Sequence, residues 1–208
     1  MPSFALKDLT VKQQKKLLIG SIIPRPTALI STQNKEGVVN LAPFSYFNIV
    51  SYQPPILGVA VQRVEGRMKD TAVNIINGQE AVVHIVDKEN IALANQAAVN
   101  YPPERSELDL APFERIDSIQ IDVPGLIPSK MRFETRLYKH VIIQDEEEIT
   151  ADLLLLRVVY FHVAEEIYQE TYIDPKKLDP VARLAGSDYS CIGEVFSLER
   201  PEFKGEMK

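Results

Sequence analysis

An antiparallel β-barrel, closed or partly closed, with helical additions is the fold that the sequence predicts. Three observations lead there. Strand-like runs outnumber helical ones, turn signals join neighbouring strands as hairpins, and strands do not alternate regularly with helices. No internal repeat or low-complexity linker interrupts the 208 residues, so one domain over 1–208 is expected.

Taken in order, "TVKQQKKLLI" (10–19) predicts a short amphipathic helix, capped by Thr10, with Val11, Leu17 and Leu18 on a buried side. Pro24 and Pro26 forbid its continuation. "TALIST" (27–32), the turn "QNKEG" and "VVNLA" (38–42) form a hairpin pattern. The next piece, Asn40 to Asn48, is polar, aromatic and turn-rich, and reads as a non-repetitive loop before the strand "ILGVAVQ" (56–62).

"KDTAVNIING" (69–78) changes to helical period, with Val73, Ile76 and Ala72 on one side, a cap at Asp70 or Thr71, and Gly78 as the close. A buried strand (81–86), a helix (88–100) and an irregular proline-rich piece (101–113) follow. Residues 131–143 and 151–164 read as long strands around the acidic turn "DEEE" (145–148), the second too long to stay flat. "CIGEVFSL" (191–198) reads as a final short strand.

Composition excludes several classes. With 23 Lys and Arg against 29 Asp and Glu, the net charge of −6 makes the chain a poor nucleic-acid binder. A single cysteine, Cys191, rules out an intrachain disulfide and a cysteine metal cluster within one chain. The three histidines, His84, His140 and His162, show no metal spacing, and no metal is expected. The longest strongly apolar stretch, Leu153 to Leu156, is stopped by Arg157, far short of a membrane span. The N-terminus has no basic start leading into an apolar run, so no secretory signal is expected and the expected location is cytoplasmic.

Two stretches carry ligand-binding chemistry. Lys69, Asp70 and Thr71 stand at a predicted helix start, where free N–H groups and the helix dipole favour an anion. A hydroxyl and a mobile charge beside them suit one terminal phosphate; the same three residues also make an ordinary helix cap. Ser45, Asn48 and Ser51 mix polar edges with the flat surfaces of Phe44, Tyr46 and Phe47, which suits a planar heteroaromatic ligand. Phe44 and Phe47 fit core packing equally well.

The ordered set "PRPTALIST" (24–32), "GVVNLAPFSYFN" (37–48), "SYQPP" (51–55), "KDTAVN" (69–74) and "PVARLAGSDY" (180–189) resembles the flavin reductase-like, FMN-binding split-barrel family, over about Ile23 to Tyr189. The resemblance implies a six-stranded split barrel, a homodimer with FMN near its interface, and NADH or NADPH as a passing electron donor. Lys69, Asp70, Thr71 and Asn74 would line the phosphate and ribityl end, together with Arg25 and Thr32. Asn40, Ala42, Pro43, Ser45, Phe47 and Asn48 would run along the ring, and Arg183 and Tyr189 would close the site or the dimer contact.

In such a protein the flavin carries the redox chemistry, so no catalytic side chain is expected and none is evident. The implied function is an NAD(P)H-dependent oxidoreductase passing electrons through FMN to free flavin, a partner oxygenase or another electron-transfer protein. The alternative is a non-enzymatic electron carrier resembling flavoredoxin. The chain lacks the Gly-Asp-His segment of many active reductases, which favours the carrier. His84 and His162 fall within apolar strands and read as structural, and nothing marks Cys191 as reactive.

Overall fold

The computed structural model describes residues 1–201; residues 202–208, to which the one-domain expectation also extends, lie outside them. Helix α1 (Val11–Ser21) begins as expected at Thr10, in a capping box with Gln13. Its expected buried side is not buried: Val11, Leu17 and Leu18 are 79%, 49% and 59% exposed. Periodicity reveals an apolar stripe, but not whether the same chain covers it.

A mainly antiparallel architecture is present. Seven strands, β1 (Ala28–Gln33), β2 (Val39–Phe44), β3 (Phe47–Tyr52), β4 (Pro55–Gln62), β5 (Glu80–Ile85), β6 (Met131–Asp145) and β7 (Glu148–Val163), form one sheet. Their order is β2-β1-β5-β6-β7-β4-β3, with every neighbour antiparallel. The expected count was six; the sheet has seven strands, and β2 and β3 are not paired, so it stays open. The main core lies on its inner face, where Ile30, Val59, Val83, Leu154 and Leu156 meet Ala72 and Ile75 of helix α2 (Asp70–Gly78). β6 and β7 turn at Glu146 and Glu147, and three register shifts bend the pair as its length requires.

The stretch from Asn40 to Asn48 corrects the loop expectation. β2 runs on to Phe44, with Pro43 opposite Leu29, and a turn at Ser45 and Tyr46 leads straight into β3. β2 is an edge strand, where the missing proline N–H breaks no ladder. Its outer edge is covered from the irregular segment: the Leu41 N–H donates to the Glu107 carboxylate at 2.8 Å, and the Ser106 hydroxyl to the Val39 carbonyl at 2.6 Å.

Other expectations shift by local chemistry. In α2 the cap position is Lys69, not Asp70 or Thr71, and Gln79, not Gly78, takes the left-handed closing conformation at φ 65°. Its buried residues are Thr71, Ala72, Asn74 and Ile75, so Val73 faces outward. The helix expected over 88–100 shrinks to α3 (Ile91–Gln96), because Asp87 and Asn90 exchange hydrogen bonds in a turn before it. The strand expected over 191–198 is absent; the last strand among the described residues is Tyr189–Ser190, in a small sheet with Ala182–Arg183 and Arg25–Pro26. Residues beyond it find no partner strand among the described residues, and Val195, Phe196 and Leu198 stay exposed.

Candidate functional site

Thr32 and Asn40 are cross-strand partners in β1 and β2, and α2 lays Thr71 and Asn74 over them. The Thr32 hydroxyl accepts from the Asn74 carboxamide at 3.1 Å and from the Asn40 carboxamide at 3.3 Å. The Asn40 Nδ2 also reaches the Thr71 hydroxyl at 2.9 Å. Four of the residues named from sequence thus form one buried polar cluster, held by hydrogen bonds as burial demands. Both carboxamide nitrogens are used inward. Among the described residues neither carboxamide oxygen accepts a hydrogen bond.

Asn40 and Asn74 line a cavity of ≈ 480 Å³, with Asp70, Asn77, Gln33 and Arg105 around it. Lys69 is exposed at the cap position of α2 and gives no side-chain hydrogen bond to the helix end. The first N–H groups of the helix are therefore free of a side-chain cap, and an anion suits them. Burial, with a smaller push from Glu104, raises the Asp70 carboxyl above its ordinary range. Asn77, Gln33 and Arg105 were not named from sequence. Arg105 lies in a proline-rich segment with no local signal of what it faces, whereas Asn77 follows Asn74 by three residues on α2 and was within reach of a helical-face argument.

The remaining named residues divide. Ala42, Pro43 and Ser45 are half-buried and Asn48 exposed along the β2–β3 turn, with the Asn48 carboxamide oxygen accepting from the Ile49 N–H at 2.8 Å. Phe47, like Phe44, is buried in the main core, so its ring is not free for a ligand. Arg25 is held by carbonyls: its guanidinium donates to Ile19 at 2.8 Å, Ile22 at 2.5 Å and Leu184 at 2.7 Å, tying the end of α1 to the C-terminal region. The structure does not join it to the Thr32 cluster. Arg183 lies over the Tyr189 ring at 4.4 Å and donates to the Gly186 carbonyl, so these two residues do come together.

Each histidine has a defined partner. His84 donates from Nδ1 to the Leu29 carbonyl and accepts at Nε2 from the Leu126 N–H, both at 3.0 Å. Burial lowers its pKa to about 4 against the pull of that carbonyl, with Arg132 and His162 adding to the fall. His162 meets the fully buried Glu134 at 2.6 Å, and that carboxylate also accepts from the Ile119 and Gln120 N–H groups at 2.7 Å each. Burial opposes the Glu134 charge, yet these donors hold its carboxyl below the usual range. His140 meets Asp152 at 2.9 Å, and Arg63 grips the same carboxylate with two bonds of 2.9 Å. Asp152 is held low in the same way, burial being outweighed by Arg63 and His140.

Comparison with known proteins identifies the family. A family model described as the flavin reductase like domain matches residues 19–179. The uncharacterized protein YwrF of Bacillus subtilis is 42% identical over 201 residues, covering 95% of this chain and 98% of its own. The solved structure of nitrilotriacetate monooxygenase component B from Bacillus cereus superposes with a TM-score of 0.93 at 45% identity, covering 95% of this chain and 98% of that one. The 2-nitrobenzoate 2-nitroreductase NbaA of Pseudomonas fluorescens gives 0.87 at 28% identity, with 99% of both chains covered. Flavoredoxin of Desulfovibrio vulgaris (Miyazaki F) shares the fold, at 0.72 and 19% identity over 85% of this chain and 91% of that one. With a family match over most of its length and a relative 42% identical across 95% of the chain, on a mainly β fold, the chain belongs to the flavin reductase-like family.

Proposed function

We propose that the chain binds FMN at the α2 end of the sheet and acts as an NAD(P)H-dependent oxidoreductase, passing electrons to free flavin or to a partner oxygenase. The observation that carries this reading is the buried Thr32–Asn40–Thr71–Asn74 cluster, whose two carboxamide oxygens lack partners among the described residues beside a cavity of ≈ 480 Å³. The donor set fits FMN. Hydroxyls of a ribityl chain would supply the donors that the Asn40 and Asn74 oxygens lack among the described residues. Lys69 and the uncapped α2 N-terminus suit a phosphate. In this reading Ser45 and Asn48 offer partly exposed polar groups and Ala42 and Pro43 apolar surface to a ring, and Arg183 and Tyr189, which pack on each other, would flank it. When bound, FMN supplies the redox chemistry itself, so the protein's work is to hold, orient and shield it.

The likeness to a protein named as a monooxygenase component supports the oxygenase as acceptor. The missing Gly-Asp-His segment favours the second reading, an electron carrier reduced by another protein. Anaerobic stopped-flow mixing of FMN-loaded protein with NADH and with NADPH separates them: rapid bleaching of the flavin band with either donor supports the oxidoreductase, and none with both rejects it. We also propose a homodimer. The edge strand β3 exposes Ile49, Val50 and Tyr52, and α1 exposes its apolar stripe. Light scattering on the eluting protein tests this, and a mass of one chain at micromolar concentration rejects it.

A further inference from the structure

A second cleft lies away from the α2 cavity and shares no lining residue with it. It has a volume of ≈ 410 Å³ and sits between the small sheet and the residues that follow it. Pro26, Ile85, Val181 and Ile192 give it apolar walls. Thr27 also lines it, is only 5% exposed, and has a hydroxyl without a hydrogen-bond partner among the described residues. An unpaired buried hydroxyl costs about 1–3 kcal/mol. Next to a cleft of this size, a ligand is what can supply the missing bond.

The frame around Thr27 is fixed by backbone bonds, so the cleft does not depend on that hydroxyl to hold its shape. The Val86 N–H donates to the Thr27 carbonyl at 3.0 Å, and the Val181 N–H to the Val86 carbonyl at 2.9 Å. Pro26 pairs with Ala182. The lining includes no charged side chain, which disfavours an ionised ligand in an apolar space. The volume falls within the range of about 300–1,000 Å³ typical of small-molecule sites. Cys191, the chain's one cysteine, is exposed and belongs to the lining, so its thiol reports whether the cleft is filled.

We infer that this cleft binds a small, neutral, largely apolar molecule bearing one hydroxyl or carbonyl, which completes the hydrogen bond of Thr27. It is separate from the proposed FMN site and does not rest on it.

The test follows the rate at which a fluorogenic maleimide labels Cys191 in the protein as purified. Naphthol is the probe, and methylnaphthalene is its partner of similar shape without the hydroxyl. The expected result is saturable slowing by naphthol, unchanged by added FMN. Methylnaphthalene should bind about tenfold more weakly, and the near-isosteric Thr27→Val should remove that difference between the two probes. Should Thr27→Val fail to fold, the two probes on the wild-type protein decide alone. Three results overturn the inference: no slowing up to the solubility limit, equal affinity for both probes in the wild type, or slowing that follows protein concentration alone. The last would mean that a second copy of the chain covers the cleft.

Discussion

Acid should destabilise this protein through His84, by an amount its surroundings set. The ring is fully buried, with Nδ1–H donating to the Leu29 carbonyl and Nε2 accepting from the Leu126 N–H. Protonating Nε2 would turn an acceptor into a donor facing another donor. In the unfolded chain the ring titrates at its ordinary 6.5, and in the folded chain at about 4. The unfolded state therefore binds a proton that the folded state refuses, and acid favours unfolding. Stability is whole above the unfolded value, falls as pH drops from 6.5 towards 4, and reaches its full loss below 4. At about 1.4 kcal/mol per unit, the full loss is about 3 kcal/mol, and about 2 kcal/mol is already gone at pH ~5. The assay is urea unfolding at a series of pH values, followed by circular dichroism because the chain has no tryptophan. His84→Gln removes the titration, so its stability should be lower at neutral pH but fall less steeply on acidification. Parallel curves for the two proteins would refute the assignment.

Removing the Lys69 charge or the Thr71 hydroxyl, by Lys69→Ala or Thr71→Val, should weaken FMN about tenfold and riboflavin much less, since only FMN carries the phosphate. Equal losses in fluorescence titrations of the two ligands would place the phosphate elsewhere. Asn74→Leu should weaken both ligands, because it removes the oxygen proposed for the ribityl hydroxyls and the Nδ2 bond to Thr32; unchanged riboflavin affinity in the same titrations counts against that role. Glu134→Leu leaves the Ile119 and Gln120 N–H groups unpaired and should cost about 2 kcal/mol or more in urea unfolding. Arg63→Met should destabilise by stranding the buried Asp152 carboxylate, and adding Asp152→Asn should recover part of the loss; a double variant worse than the single one speaks against the pairing.

Much of the site could be read from the chain, but in pieces. The hairpin of β1 and β2 and the helix α2 follow from local period and turn residues, and they carry Thr32, Asn40, Thr71 and Asn74. That the four residues share hydrogen bonds is a tertiary fact: Thr32 and Asn74 are 42 positions apart. Phe47 shows the limit from the other side. Its neighbours suited a ligand surface and core packing equally; β3 turns its ring into the core, and β-strand alternation could not decide this across a turn whose position is unknown. Arg25 was named for an anion, and the folded chain gives its guanidinium three carbonyls instead.

The sequence by itself determined the mainly β class, the Thr10 cap of α1, the bend in the β6–β7 hairpin and the family, because each is written in local spacing or in an ordered set of short motifs. Only the tertiary structure decided that Pro43 lies in an edge strand, that α1 keeps its apolar stripe exposed, that 191–198 forms no strand, and that Thr27 lines a cleft with its buried hydroxyl unpaired among the described residues. Local periods specify which way a residue points along its own element. Burial and partnership depend on which distant element closes over it, and for β1, β5 and β6 that partner lies up to 57 positions away, as Ala28 and Ile85 do.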